Sequence, residues 1–422
     1  MRRFIVWGGV VVLLAAASPF LWAGYHQYAG LSAFKRYHST EARAHLEACM
    51  RVWPWSRSAR LHLLAARAAR RDGDFEAAEQ HLRECQDYSG EGLVYEESVL
   101  EWAMLHGMEG DLDTVEEPLK TTLRKHPEVA PLILEALAGS YLRMARVVDA
   151  LRYADAWVEL QPDSPQAWFV RGNIHRQVGA WQKAADDYRH VIELDPDRTQ
   201  ARRWLAVGLL EIGRYQEALE QAEIVHKLQP EDADFRVRLA LCHFRLGHDA
   251  EARALLDGVI AEYPDNGPAL LSRGQLELKA EHFAEAEDWL RRAARVMPYD
   301  YKAQWALADC LRRAGKTQEA EAQLDHANVL KDRRQRQGEI MTHLMSQRPN
   351  DPALQAELGT LYLQLGNPEV GEGWLLHALR IDPNQLPALE ALADFYQQRG
   401  ETEKAEEYRQ RIRDLSPPKS QR

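Results

Sequence analysis

Few residues in this chain have types and spacings that could do chemistry, and each has a simpler explanation. Gly315-Lys316-Thr317 matches the end of a phosphate-cradling loop. That loop needs a glycine five positions earlier, where Cys310 stands, and a strand before it, where the apolar spacing here is helical. Gly371-Glu372-Gly373 lacks the third glycine and the strand of a dinucleotide-binding turn. There is no HExxH, GxSxG or CxxC, the spacings that place a zinc-bound water, a serine nucleophile or a dithiol pair. The 16 histidines are scattered, with no evident pair at ligand spacing with a carboxylate. The expectation is a protein that is not an enzyme and holds no metal or cofactor.

Composition narrows the partners. The 422 residues carry 64 acidic and 53 basic side chains, a net charge of −11. That balance lacks the basic footprint of a sequence-independent polyanion binder, so no nucleic-acid partner is expected. With 45% hydrophobic and 28% charged residues, the chain is neither a polytopic membrane protein nor wholly disordered. Phe4 to Gly24 is an uncharged run behind Arg2 and Arg3, long enough to cross a hydrocarbon core of ~30 Å as a helix. The positive flank predicts a single-pass membrane protein with the rest of the chain extracytoplasmic. Two alternatives stay open: a signal segment cleaved near Ala15-Ala16-Ala17, giving a secreted or periplasmic chain, and a buried core helix.

The rest of the chain is periodic. Ala150, Ala184, Ala218, Ala252, Ala286 and Ala320 follow one another at 34 residues. Pro162, Pro196, Pro230, Pro264 and Pro298 keep the same interval, as do Gly179, Gly213, Gly247 and Gly315, with Glu281 in the glycine column once. Between the columns apolar residues recur three and four apart, as in Leu205, Ala206 and Leu209, then Ala218, Ala222 and Val225. This spacing predicts two helices per unit. The glycine supplies the left-handed residue of the turn, the alanine lets two helices approach closely, and the proline separates one unit from the next. Each unit is a helix-turn-helix hairpin, and hairpins of one length stack on one another. Cys242 and Cys310 share a column two units apart, and Cys49 and Cys85 occupy like columns in neighbouring units. Packed helices lie ~8–10 Å apart and a disulfide needs Cα atoms within ~7 Å, so free buried thiols are expected.

Unit 165–198, with Trp168, Gly172, Gly179, Trp181, Ala184, Tyr188 and Pro196, resembles the tetratricopeptide repeat (TPR). The resemblance extends back through degenerate units to Ala59 and resumes at Pro352, covering most of the chain. It implies an all-α, right-handed solenoid, here preceded by one transmembrane helix. The expected organisation is an anchor or signal segment at 1–24, an incomplete first repeat and connector at 25–58, and a main array at 59–331. An extra helix or connector follows at 332–351, then two C-terminal units at 352–417 and a tail at 418–422. The interval from Tyr301 to Pro352 exceeds the period by half a unit, and its surplus carries helical apolar spacing at Ile340, Leu344 and Met345.

In this family the first helix of each unit lines a concave surface on which ligands lie. The resemblance therefore implies a groove lined by Arg143, Phe169, Asn173, Arg176, Arg203, Phe244, Arg245, Lys279, Trp305, Arg312 and Arg313, with Val207, Glu211, Val237 and Asp309 beside them. Seven of these are basic and two acidic, with aromatic rings between them. The stripe suits an extended acidic peptide or chain terminus, clamped by arginine and anchored by rings. Arg143, Arg245, Lys279 and Arg313 also close helices, where cations complement the dipole without any ligand. The expected function is a membrane-tethered, non-catalytic scaffold that holds a protein or peptide of unknown identity. A self-assembling component of an envelope complex and an accessory subunit of an enzyme are the alternatives.

Overall fold

The computed structural model describes residues 2–52, 58–90 and 92–415, with the side chains of 2–18 and of 52 outside the description. Every regular element among them is helical. The chain divides into two compact units. Unit 1 comprises Met1–Arg143 with Glu159–Gln161, and unit 2 comprises Met144–Val158 with Pro162–Arg422.

Unit 1 holds α1 (Arg2–Lys35), α2 (Ser39–Val52), α3 (Ala59–Asp72), α4 (Phe75–Ser89), α5 (Leu93–Glu109), α6 (Leu112–Lys125) and α7 (Ala130–Arg143). The division falls at the turn before α8 (Val147–Leu160). Unit 2 continues with α9 (Pro165–Gln177), α10 (Trp181–Leu194), α11 (Thr199–Glu211), α12 (Tyr215–Leu228), α13 (Ala233–Leu246) and α14 (Asp249–Glu262). It ends with α15 (Gly267–Lys279), α16 (Phe283–Val296), α17 (Tyr301–Arg313), α18 (Thr317–Glu339), α19 (Met345–Gln347), α20 (Pro352–Gln364), α21 (Pro368–Ile381), α22 (Leu386–Gln398) and α23 (Thr402–Leu415).

Each predicted column does its predicted work. The six column alanines are all buried, five of them completely, because each sits where the two helices of a hairpin touch. The turn residue has φ near +80° at Gly179, Gly213, Gly247 and Gly315, as the glycine column requires. Ala145 and Glu281 hold the same place with φ of 55° and 60°, which side chains adopt only at a cost of ~1–2 kcal/mol. First helices open on side-chain caps: Ser164, Asp232, Asn266 and Asp300 each accept the amide three residues on, worth ~1 kcal/mol apiece. All four cysteines are buried thiols outside any disulfide.

The surplus after Tyr301 is an extension of α18 to Glu339, followed by a π-helical stretch over Ile340–Leu344. Its apolar residues have a specific use. Ile340 and Met345 join Leu354, Leu358 and Leu361 in a cluster that includes Ala145, and the Val148 amide donates to Ser346 Oγ at 3.3 Å. The insertion thus ties the C-terminal hairpins to the beginning of unit 2. Ala405 is the one buried residue of α23, whose exposed residues are charged or polar apart from Leu415.

The N-terminal expectation is corrected. Among the described residues no helix is long and apolar enough to cross a membrane, which overturns the span at Phe4–Gly24, the tether, and the single-pass extracytoplasmic location drawn from it. The physical reason is visible where side chains are described. α1 does not stop at Gly24 but runs to Lys35 as the first helix of a hairpin with α2. Ala23, counted in the span, is 4% exposed and packs with Leu46, Cys49, Met50 and Leu61. The Ala15-Ala16-Ala17 side chains, Pro54 and residues 416–422 lie outside the described residues.

Candidate peptide-binding face

Ten of the eleven groove candidates belong to unit 2, on the first helices α9, α11, α13, α15 and α17; Arg143 belongs to unit 1, where it is exposed and its guanidinium lies 4.9 Å from the Phe75 ring centroid. Because hairpins repeat at one length, residues of one column fall on one face. Three cations of these helices also reach an aromatic ring on a neighbouring first helix, one of them, Phe244, itself a candidate. The Arg176 guanidinium lies 4.0 Å from the Trp204 centroid, Arg203 lies 4.8 Å from Phe235, and Lys279 Nζ lies 5.3 Å from Phe244.

Much of the stripe is already occupied by the protein itself. Phe169 is half-buried, with the Arg198 guanidinium 4.2 Å above it and Tyr188 at its edge. Asn173 Oδ1 accepts the Tyr188 hydroxyl at 2.9 Å, and burial pushes that phenol well above its ordinary pKa. Arg176 has a buried Nε with no hydrogen-bond partner among the described residues. Arg203 pairs with Asp232; although burial opposes it, Arg203 and the Phe235 amide hold that carboxyl below its usual range. Lys279 bonds Asp249 at 2.8 Å. Asp309 lies between Arg312 at 2.5 Å and Arg313 at 2.9 Å. Val207 and Val237, expected on the groove, are core residues at 7% and 3% exposure.

Magnitudes decide which candidates can hold a ligand. A peptide carboxylate that displaces Asp249 from Lys279 exchanges one exposed ion pair for another, worth ~0–1 kcal/mol either way. The Arg203–Asp232 pair is more buried, and its carboxylate also caps the Phe235 amide, so a ligand gains less by displacing it. Phe169 and Asn173 are committed to Tyr188 and Arg198. The residues with surface left to offer are Trp305, 54% exposed, the exposed Arg245, which pairs with no carboxylate among the described residues, and the outer faces of Arg312 and Arg313. Trp305 stands out because burying such a ring against a partner gives ~1.5–3 kcal/mol.

In unit 1 one pair of column residues is matched internally, while Arg143 stays exposed. Arg71, in the column of Arg245 and Arg313, is paired at 2.8 Å with Glu135, in the column of Phe169 and Trp305, and both side chains are 8% exposed. Neither this pair nor Arg198, Asp232 and Asp249 stands out in the amino-acid sequence. Reading charges down each column, and not only the apolar residues, is the signal that finds Arg71 and Glu135.

Four models of the tetratricopeptide repeat match this sequence, at residues 137–207, 209–273, 29–90 and 271–328, and 388–421, together more than half of it. Among solved structures, MamA from Desulfovibrio magneticus RS-1 is 19% identical over 40% of this chain and 94% of its own, with a TM-score of 0.37. YrrB, described as a TPR protein with an unusual peptide-binding site, is 18% identical over 44% of this chain and 95% of its own, at 0.38. A human IFIT1 dimer with m7Gppp-AAAA is 16% identical over 85% and 90%, at 0.41. Likenesses of this size say nothing about the ligand here.

Proposed function

Because the chain belongs to the tetratricopeptide repeat family, we propose that it is a protein-interaction scaffold that holds an extended acidic segment of a partner protein across α13, α15 and α17. The observation that carries this is Trp305, a large ring left more than half exposed with Arg312 and Arg313 on the same helix and Arg245 two first helices away. The ring offers an apolar anchor, and the guanidiniums offer paired donors for carboxylates. Family membership supports the class of function, and the charge of the exposed residues supports the acidic character of the segment. Of the stripe named from sequence, the proposed contact residues are Arg245, Trp305, Arg312 and Arg313.

A photocrosslinking residue placed at Trp305 tests this, with a second placed at the exposed Val329 of α18. The expected result is capture at 305 of a segment rich in Asp and Glu, abolished by Arg245→Glu with Arg312→Glu. Capture at 329 alone, or of a basic segment at 305, contradicts the proposal.

A further inference from the structure

We propose that His62, His81 and Glu84 form a zinc-class metal site that clamps α3 to α4 in unit 1. His62 comes from α3, and His81 and Glu84 lie three residues apart on one face of α4. Their three ligand atoms lie within 4.8 Å of one another. His62 Nδ1 is 3.3 Å from His81 Nδ1 and 3.0 Å from Glu84 Oε2. A tetrahedral Zn²⁺ with bonds of ~2.0–2.1 Å separates its ligands by ~3.3 Å, so the two distances from His62 Nδ1 are already about the edge lengths of a coordination shell.

Protons alone serve this cluster poorly. A proton on His62 Nδ1 directed at Glu84 Oε2 leaves His81 Nδ1 with no lone pair to meet, and one directed at His81 leaves Glu84 with the Gln80 amide on Oε1 at 3.1 Å but without the imidazole donor on Oε2. A dication at the centre takes an electron pair from all three. The surroundings favour a cation as well. The cluster opens on a cavity of about 580 Å³ lined by Glu47, Asp87 and Arg51 besides the three ligands, so carboxylates outnumber guanidiniums. Glu47 Oε1 on α2 stands 3.5 Å from His81 Nε2, the far ring nitrogen. A carboxylate in that place orients the imidazole and raises its basicity toward a metal. His62 is fixed from the other side by stacking on Tyr88, with centroids 5.5 Å apart and planes 13° from parallel. Glu84 is 39% exposed, which gives the ion an entry path and leaves room for a water as fourth ligand. Two imidazoles with a carboxylate suit Zn²⁺ better than the all-oxygen shells of Mg²⁺ or Ca²⁺.

A second group, Glu277, His282 and Glu285, has the same residue types but not the same chemistry. Glu277 is fully buried and already paired with Arg253 and Arg273, two cations that a metal would have to displace. It serves as the internal control.

The test uses the full chain without an affinity tag, stripped with a chelator and titrated with Zn²⁺ by calorimetry and with Co²⁺ by visible absorption. The expected result is one equivalent bound, tetrahedral Co²⁺ bands and a raised melting temperature with Zn²⁺. His81→Gln and the more exposed Glu84→Gln lose the site, Glu47→Gln weakens it about 10–100-fold, and His282→Gln binds as the parent does. Circular dichroism of each metal-free variant verifies that it is folded. No stoichiometric binding by the parent, or binding unchanged in folded Glu84→Gln, overturns the proposal and leaves the three side chains as an internal hydrogen-bond cluster.

Discussion

Replacing Glu101 with Gln isolates the energetics of unit 1. Glu101 is completely buried on α5, Arg70 and Arg67 of α3 are 1% and 6% exposed, and both guanidiniums bond its carboxylate, at 2.5 and 3.0 Å. The amide keeps the shape and removes the charge, so two buried cations lose their main counter-ion. Arg67 keeps Glu97 at 3.1 Å, whereas Arg70 keeps, among the described residues, a Met108 sulfur at 3.3 Å. Breaking a buried pair from one side costs ~3–5 kcal/mol. A stack of hairpins distributes stability by nearest neighbours, so the loss should stay in unit 1. Hydrogen exchange read by mass spectrometry resolves this: amides of α3 and α5 should lose protection by ~3–5 kcal/mol while α13 to α17 keep theirs. A variant with Arg67→Met, Arg70→Leu and Glu101→Leu together should recover most of the loss, because no charge is then left buried. Burial alone would raise the Glu101 pKa, yet Arg70 and Arg67 hold it below the usual carboxylate range. Its contribution is present above the unfolded value and lost as pH falls through the folded one. Protection of α3 and α5 should therefore fall in acid in the parent and change less steeply in Glu101→Gln. Unchanged protection, or a loss spread evenly over both units, refutes the reasoning.

Two smaller perturbations follow from the fold. Glu281→Gly relieves a left-handed residue at an exposed turn and should raise the urea midpoint by an amount worth ~1 kcal/mol. Ala145→Gly at the same column should gain less, because the Ala145 methyl packs with Ile340, Met345 and Leu358 and its removal forfeits ~0.8 kcal/mol; equal gains contradict this. Burial pushes the Cys242 thiol up to about 12, so an aromatic disulfide reagent at mildly alkaline pH should label no cysteine until denaturant is added, and rapid native labelling of Cys242 refutes the packing.

The hairpin pattern was legible because a repeat prints the same geometric demand many times. Turn, contact alanine and separating proline recur at one interval, and the structure honours them even where Glu281 and Ala145 replace the glycine. The groove was legible only as a set of columns. Whether a column residue faces a ligand or its own neighbour depends on partners such as Asp232, Asp249 and Arg198, which sit in turns and second helices outside those columns. The first hairpin was misread because an apolar run of about 21 residues satisfies a membrane and a helix stack equally well by composition; the burial of Ala23 against α2 is a tertiary fact. His62 and His81 escaped notice for a similar reason, since their 19-residue separation becomes proximity only when α3 and α4 fold together.

Under the proposed function, Trp305 and the nearby guanidiniums receive an acidic chain. Fluorescence anisotropy of a labelled peptide of alternating Glu and aromatic residues, measured against the full chain at rising salt, tests it most directly. Binding should weaken steeply with ionic strength, fall at least about tenfold in Arg245→Glu with Arg313→Glu, each lost charged hydrogen bond being worth ~1.5–3 kcal/mol, and fall again in Trp305→Ala. Equal affinity for a Lys-containing peptide of the same pattern, or affinity indifferent to salt and to all three substitutions, contradicts the account.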